Sequence, residues 1–171
     1  MLYQLKFARL FGLPTILLIL TTGCPSLSTP PPPTNLSISN PTVPPDKFRI
    51  SEISYEWIGG WGVRDGYKIT LSKDGTGEYF GDIAASRQGK YRGSFDTAQF
   101  DQLASVIIQK DFFSRKNKYS SGLTDADTII ISVVYAGGRK TVVNYGGGGD
   151  DEVVDIQRAI VSLSKQIAWK G

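Results

Sequence analysis

Y-K-I-T-L-S-K-D-G-T-G-E-Y-F-G-D, from Tyr67 to Asp82, decides the fold of this chain. Tyr67, Ile69 and Leu71 alternate with polar side chains, the period-2 pattern of a strand with one buried face. Lys73 to Gly77 is turn chemistry, because Asp74-Gly75 supplies the positive φ angles a tight hairpin needs. Glu78 to Asp82 returns as the partner strand. A hairpin of this kind implies an antiparallel sheet.

The rest of the domain reads outward from that hairpin. Phe48 to Trp57 alternates loosely and predicts a first strand, and Gly59 to Gly66 a loop. Gly89 to Phe95 predicts another short strand. Asp96, with Gln99 three residues on, is a capping box that opens a helix over Thr97 to Phe113. Its buried stripe is Phe100, Leu103 and Ile107, with Val106 and Ile108 beside it. A polar loop, Ser114 to Asp127, follows. Thr128 to Tyr135 is strongly β-branched and predicts a strand, which Gly137-Gly138 turns into Thr141 to Tyr145. Four glycines end that strand. Asp150 or Asp151 then caps a last helix, whose face repeats at Val153, Ile156, Ile160, Leu163 and Ile167. The order is β-β-β-β-α-β-β-α. It predicts an α+β domain, an antiparallel sheet of hairpins with two amphipathic helices packed on one face.

Ahead of this domain the chain changes character. Lys6 and Arg9 precede a mostly apolar run from Leu10 to Leu20, then Thr21, Thr22, Gly23 and Cys24. That order resembles a bacterial lipoprotein signal peptide over residues 1–23, with Cys24 the lipidated first residue of the mature protein. The run is shorter than the roughly 20 apolar residues of a spanning helix and contains Gly12 and Pro14. Leu20 lies four before the cysteine and Thr21 stands where lipidated proteins prefer Leu. The resemblance implies a thioether-linked diacylglycerol and an acylated amine on Cys24, enough chains for stable anchoring. Pro25 stands where an inner-membrane retention signal is acidic, which favours the outer membrane. Residues 24–46 form a Pro/Ser/Thr-rich linker including Pro30 to Pro33. It reads as an extended spacer of about 3.1 Å per residue. Residues 47–171 are one domain in size.

Composition excludes several function classes. The chain has no histidine and one cysteine. Ser-His-Asp and Cys-His catalysis and Cys/His zinc sites are therefore outside its means. With Cys24 used for the anchor, the domain has no disulfide and must be held by its core. A net charge of +3 with no basic cluster excludes a nucleic-acid footprint. No cofactor is implied.

Five places remain as candidate sites. Trp57 and Trp61 flank Gly59-Gly60, with Arg64 and Asp65 close behind, and tryptophan is enriched at binding hot spots. The competing reading is that both rings cap the end of the core. Tyr119 with Ser120-Ser121 has the same ambiguity. Asp125 and Asp127 could act as acid and base or hold a hard cation. The simpler alternative is that they bond backbone amides and fix the loop before the strand. Gly146 to Asp151 could cradle a phosphate at a helix N-terminus, yet Asp150, Asp151 and Glu152 would repel an anion. It reads as a flexible connection with an Asp cap. Ser72 to Gly77 faintly resembles the Asp-box turn of sugar-processing propellers and reads as a plain hairpin turn.

The domain also resembles DUF6438, a bacterial family of uncharacterised function. The resemblance is carried by Gly66 to Gly81, Gly89 to Phe95, Asp111 to Phe113, Tyr119 to Thr128, Thr141 to Gly146 and Trp169. It covers most of Ile50 to Trp169. Many members carry a C-x-x-x-C-P pair before the first hairpin. This chain has Ile58 to Asp65 there, with no cysteine, so a redox or disulfide role does not transfer. The function expected is a membrane-tethered binding or interaction module of the cell envelope. Its loops, Trp57 to Asp65 and Tyr119 to Asp127, would meet an envelope protein, glycan or peptide. The alternatives are a structural or assembly lipoprotein of an envelope complex, and an enzyme using Asp125 and Asp127.

Overall fold

The structure is a computed structural model and describes residues 48–60 and 65–171. The expected signal peptide, Cys24, the linker, Trp61 and Arg64 lie outside the described residues. Among the described residues seven strands occur: β1 (Ile50–Ile58), β2 (Gly66–Ser72), β3 (Thr76–Gly81), β4 (Gly89–Ser94), β5 (Lys118–Ser120), β6 (Thr128–Tyr135) and β7 (Gly138–Tyr145). Two α-helices, α1 (Thr97–Gln109) and α2 (Asp151–Ser164), join them. The strands form one sheet in the order β4-β3-β2-β1-β6-β7-β5.

The β2–β3 hairpin forms as its turn chemistry dictates. Gly75 takes φ +83°, and Asp74 accepts hydrogen bonds from the Thr76 amide at 2.9 Å and its hydroxyl at 2.6 Å. Those two bonds hold the Asp74 carboxyl below its usual range. β1 then sits at the centre of the sheet, with Tyr55 opposite both Ile69 of β2 and Ile131 of β6. In this register every second residue faces the same side. Ile53, Tyr55, Ile69, Leu71, Ile131, Val133 and Val142 are all buried there. Phe100, Leu103 and Ile107 of α1 and Val153, Ile156, Ile160 and Leu163 of α2 join them in one core. The two-helix, one-face architecture is therefore as the patterning predicts. The opposite face carries Glu52, Glu56, Lys68, Glu78, Lys90 and Arg92, and Arg92 pairs with Glu78 at 3.2 Å directly across β3 and β4.

Three details differ from the sequence reading. The stretch Ser114 to Asp127 is not all loop, because Lys118–Ser120 forms β5, which runs parallel to β7 and makes the sheet only mostly antiparallel. Three residues are too few to show a period. β5 is held by tertiary bonds instead: the Val143 amide donates to Asn117 O at 2.9 Å, and Lys140 Nζ donates to Arg115 O at 2.6 Å. α1 stops at Gln109 rather than Phe113. Asp111 adopts φ +52° and a 3-10 turn over Phe112–Ser114 swings Phe112 into the core, fully buried. No glycine marks that stop, so the usual helix-end signal is missing. α2 ends at Ser164, and Ile167 reaches the core from the segment beyond it.

That last segment closes the β4 edge. The Lys170 and Arg92 amides each donate to the other's carbonyl at 2.8 Å. An unpaired edge invites strand addition from another chain, and this bridge covers part of it. Among the described residues no helix is long and apolar enough to cross a membrane.

Candidate functional site

The register gathers four loops at one end of the sheet. Ile58 pairs with Gly66 and Thr128, Gly81 with Tyr67 and Gly89, and Tyr145 with Thr128 and Ser120. Gly59-Gly60, Asp65 and the segments 82–88, 121–127 and 146–150 therefore leave the strands side by side. Asp127 clasps two of them together. Its Oδ2 accepts from Trp57 Nε1 at 3.3 Å and its Oδ1 from the Gly60 amide at 3.0 Å. The Gly59 amide donates to Asp65 O at 2.8 Å and closes the first loop on itself. Gly60 passes so close to the Asp125 carbonyl that a Cβ there would overlap it. Asp125 itself is exposed, with left-handed backbone at φ +54°.

Of the residues singled out by sequence, Trp57, Asp65, Asp125 and Asp127 therefore meet at this end. Trp57 is half-buried, packs on the core and lies 5.9 Å from the Tyr67 ring. The hydroxyl of Tyr55 beneath them is pushed above its ordinary range by burial, Tyr67 and Asp127. With both its oxygens engaged, the Asp127 carboxylate positions loops. Among the described residues no three carboxylates come together in a metal-binding group.

Tyr119 is drawn elsewhere, to the first turn of α2. Its hydroxyl donates to Asp150 Oδ2 at 2.9 Å, and Arg115 meets the same oxygen at 3.3 Å. Asp150, rather than Asp151, is the N-cap: its Oδ1 accepts from the Val153 amide at 3.0 Å. Burial alone would raise this carboxyl. The Val153 amide, the Tyr119 hydroxyl and the Arg115 guanidinium overcome that and hold it below its usual value. The glycine run before it is packed. A Cβ on Gly146 would overlap Ser121 Oγ, and one on Gly148 the backbone of Ser120 and Ser121. A lowered carboxyl stabilises the fold above its unfolded pKa, near 4, and that stability is lost as pH falls through the folded pKa. Asp150→Asn keeps a good N-cap and removes the charge. It is expected to lose roughly 1 kcal/mol at pH 7, after allowance for solvent screening. The difference should shrink as pH falls through the folded pKa, as paired melts at neutral and acid pH will show.

A feature that sequence reading missed lies on the helix-covered face, past the reach of α2. Here a cleft of about 370 Å³ opens between β2, β3 and the end of α2. Its lining includes the stacked pair Tyr67 and Tyr79, with centroids 5.7 Å apart and planes at 17°. Trp169 stands obliquely beside Tyr79 at 5.8 Å and 51°, fixed by its Nε1 donating to Ser164 O at 3.0 Å. The indole packs where Gly77 leaves room, 3.1 Å from where a Cβ would lie. Arg87 lies over Tyr79 and Tyr91, 5.7 and 5.3 Å from their centroids. Its carbonyl crosses Gly81, where a Cβ would overlap it. Lys165 follows α2 at the cleft margin. Burial raises the Tyr79 hydroxyl against the opposing pull of Arg87. The signal in the sequence was the placement of Tyr67, Tyr79 and Tyr91 at alternating positions of successive strands. Only the register shows that they share a face.

A second hollow, about 330 Å³, lies on the open face, but its charges are of both signs and Arg92 and Glu78 there pair with one another. Residues 51–164 match the family described as a domain of unknown function, DUF6438. No curated protein matches the chain. The chain therefore belongs to the DUF6438 family.

Proposed function

We propose that this chain is a binding module tethered to the bacterial cell envelope through Cys24, and that its recognition surface is the aromatic cleft beside α2. The observation that carries this reading is the lining of that cleft. Tyr67, Tyr79 and Trp169 present ring surface short of full burial, and the cations Arg87 and Lys165 have no ion pair among the described residues. Concave sites with aromatic walls and a few placed polar groups are the usual form of ligand sites. The leader and spacer support the location, since an extended tether lets an anchored domain search for its ligand.

A photo-crosslinking side chain at Ser86, on the cleft rim, tests the reading in cells that express the full chain. An envelope component should be captured there and lost with Tyr79→Ala. Cys24→Ser should move the protein out of the membrane fraction. Capture that is indifferent to Tyr79, or no capture at all, contradicts the cleft as the recognition surface. A Cys24→Ser protein that stays membrane-bound contradicts the tether. The open sheet face favours a second reading, a structural lipoprotein of an envelope complex. Phe80 and Ile58 are exposed there, by 47% and 40%, and Phe80→Ser would release a partner held by that face.

A further inference from the structure

We propose that the open face of the sheet is an interface between two copies of this chain, packed face to face about a two-fold axis that runs along the strands between β1 and β2. This goes beyond the binding-module reading and does not depend on the cleft.

The open face is more apolar than a solvated one. An antiparallel sheet with one face in water carries polar side chains on that face. Ile131, Val133 and Val142 point to the helices and are buried, so the residues beside them in sequence point the other way. Those include Ile130, Val134 and Val143. Ile130 and Val143 are direct partners in the ladder, so β6 and β7 carry an apolar strip. Ile58 and Phe80 are exposed on the same face.

One row of the register matches a second copy. Across the sheet from β4 to β7 it reads Lys90, Phe80, Lys68, Glu56, Ile130 and Val143, each directly opposite the next. A two-fold axis between β1 and β2 exchanges the halves of this row. Lys68 then meets Glu56 of the second copy, Phe80 meets its Ile130, and the aliphatic stem of Lys90 meets its Val143. Each charge faces its opposite, and each apolar side chain an apolar surface. Lys68, Lys90 and Glu56 make no ion pair among the described residues. A foreign partner would need this order of groups in reverse, and a second copy already holds it.

The relief of the face fits the same axis. A hollow of about 260 Å³ has Ile58, Gly66 and Phe80 among its lining. Ile58 is opposite Gly66 in the ladder, so the axis lays Ile58 of each copy over Gly66 of the other, into that hollow. The next row is small and polar at its centre, with Thr70, Ser54, Ser132 and Thr141 in register. Bulk there does not hold the sheets apart, and aligned sheets pack about 10 Å from one another. The strands from β4 to β7 span five spacings, about 24 Å, and their lengths of six to nine residues give about 20–30 Å. That flat area approaches the roughly 800 Å² each partner contributes to a standard interface.

Sedimentation of the full chain, purified from membranes in detergent, tests the assignment. The unmodified chain should be a dimer. Glu56→Lys and Lys68→Glu should each weaken dimerisation about tenfold or more, because like charges then face one another across the axis. Mixed together, the two variants should dimerise again, since each carries the charge that the other has lost. Phe80→Ser should also favour the monomer. None of these positions is in the core, so thermal melts of the variants should stay cooperative. A monomeric unmodified chain overturns the proposal, and so does a dimer indifferent to both charge reversals. Failure of the mixture to associate overturns the two-fold axis. A chain that is monomeric alone and loses a different envelope protein with Phe80→Ser overturns the second copy in favour of a foreign partner. Capture at Ser86 is a separate readout, so the cleft stands or falls independently.

Discussion

Phe112→Ala is expected to destabilise the domain by about 3–5 kcal/mol, the range for removing a fully buried aromatic ring. Phe112 is fully buried, although it lies in a three-residue 3-10 turn just beyond α1. The neighbouring Phe113→Ala is expected to lose distinctly less. That ring is only partly buried, stacked on Phe48 at 4.7 Å and meeting Tyr135 at 4.7 Å. Urea unfolding of the two variants decides the matter. A continuous helix to Phe113 would turn successive residues about 100° apart around its axis. The left-handed backbone at Asp111 resets that angle and sends Phe112 inward. If Phe112→Ala lost less than about 1 kcal/mol, the docked turn would be wrong.

Gly148→Val is expected to lose about 2–3 kcal/mol, because the new side chain overlaps the backbone of Ser120 and Ser121. The strain has a local outlet, which is to push β5 away from β7. Hydrogen exchange should therefore quicken at the Val143 amide, which donates to Asn117 O, and at the Ser121 amide, which donates to Tyr145 O. Gly147→Ala is the control. Gly147 has φ +73° but a Cβ there meets open space. It should lose only about 1–2 kcal/mol, the penalty for a left-handed alanine, with β5 protection intact. Equal losses in both variants, with no change at Val143, would mean that the glycines serve turn conformation alone.

These two sites show where local signals end. The β2–β3 hairpin was legible because its turn residues and its alternation agree, and each is a property of a few neighbouring residues. Both helix starts were legible for the same reason: Asp96 with Gln99 forms the capping box, and an acidic residue caps α2. The end of α1 was not, since Asp111 carries no glycine-like signal. β5 was not, since its three residues are ordered by Lys140, Val143 and Tyr145 from elsewhere in the chain. The glycine run before α2 reads as a flexible connection, yet its atoms are in contact with Ser120 and Ser121.

The candidate site divides in the same way. Trp57, Asp65, Asp125 and Asp127 stand out as residue types, and the shared end of the sheet brings them together. The bond from Trp57 to Asp127 spans 70 positions, so no local pattern could announce it. Tyr119 stands out equally and goes to Asp150 instead, because β5 lies outside β7. The aromatic cleft needs four separate placements at once: Tyr67 and Tyr79 in register, Arg87 over glycine, and Trp169 returned to β3 from the far end of the chain.

The sequence by itself determined six of the seven strands, both helices and which side of each is apolar. It determined the class of fold as well, because turn chemistry and hydrophobic period act within a few residues. Only the tertiary structure decided strand order, the parallel edge strand and the place where helix coverage of the sheet runs out. Those depend on contacts between residues far apart in the chain, and such contacts are settled by packing and register together.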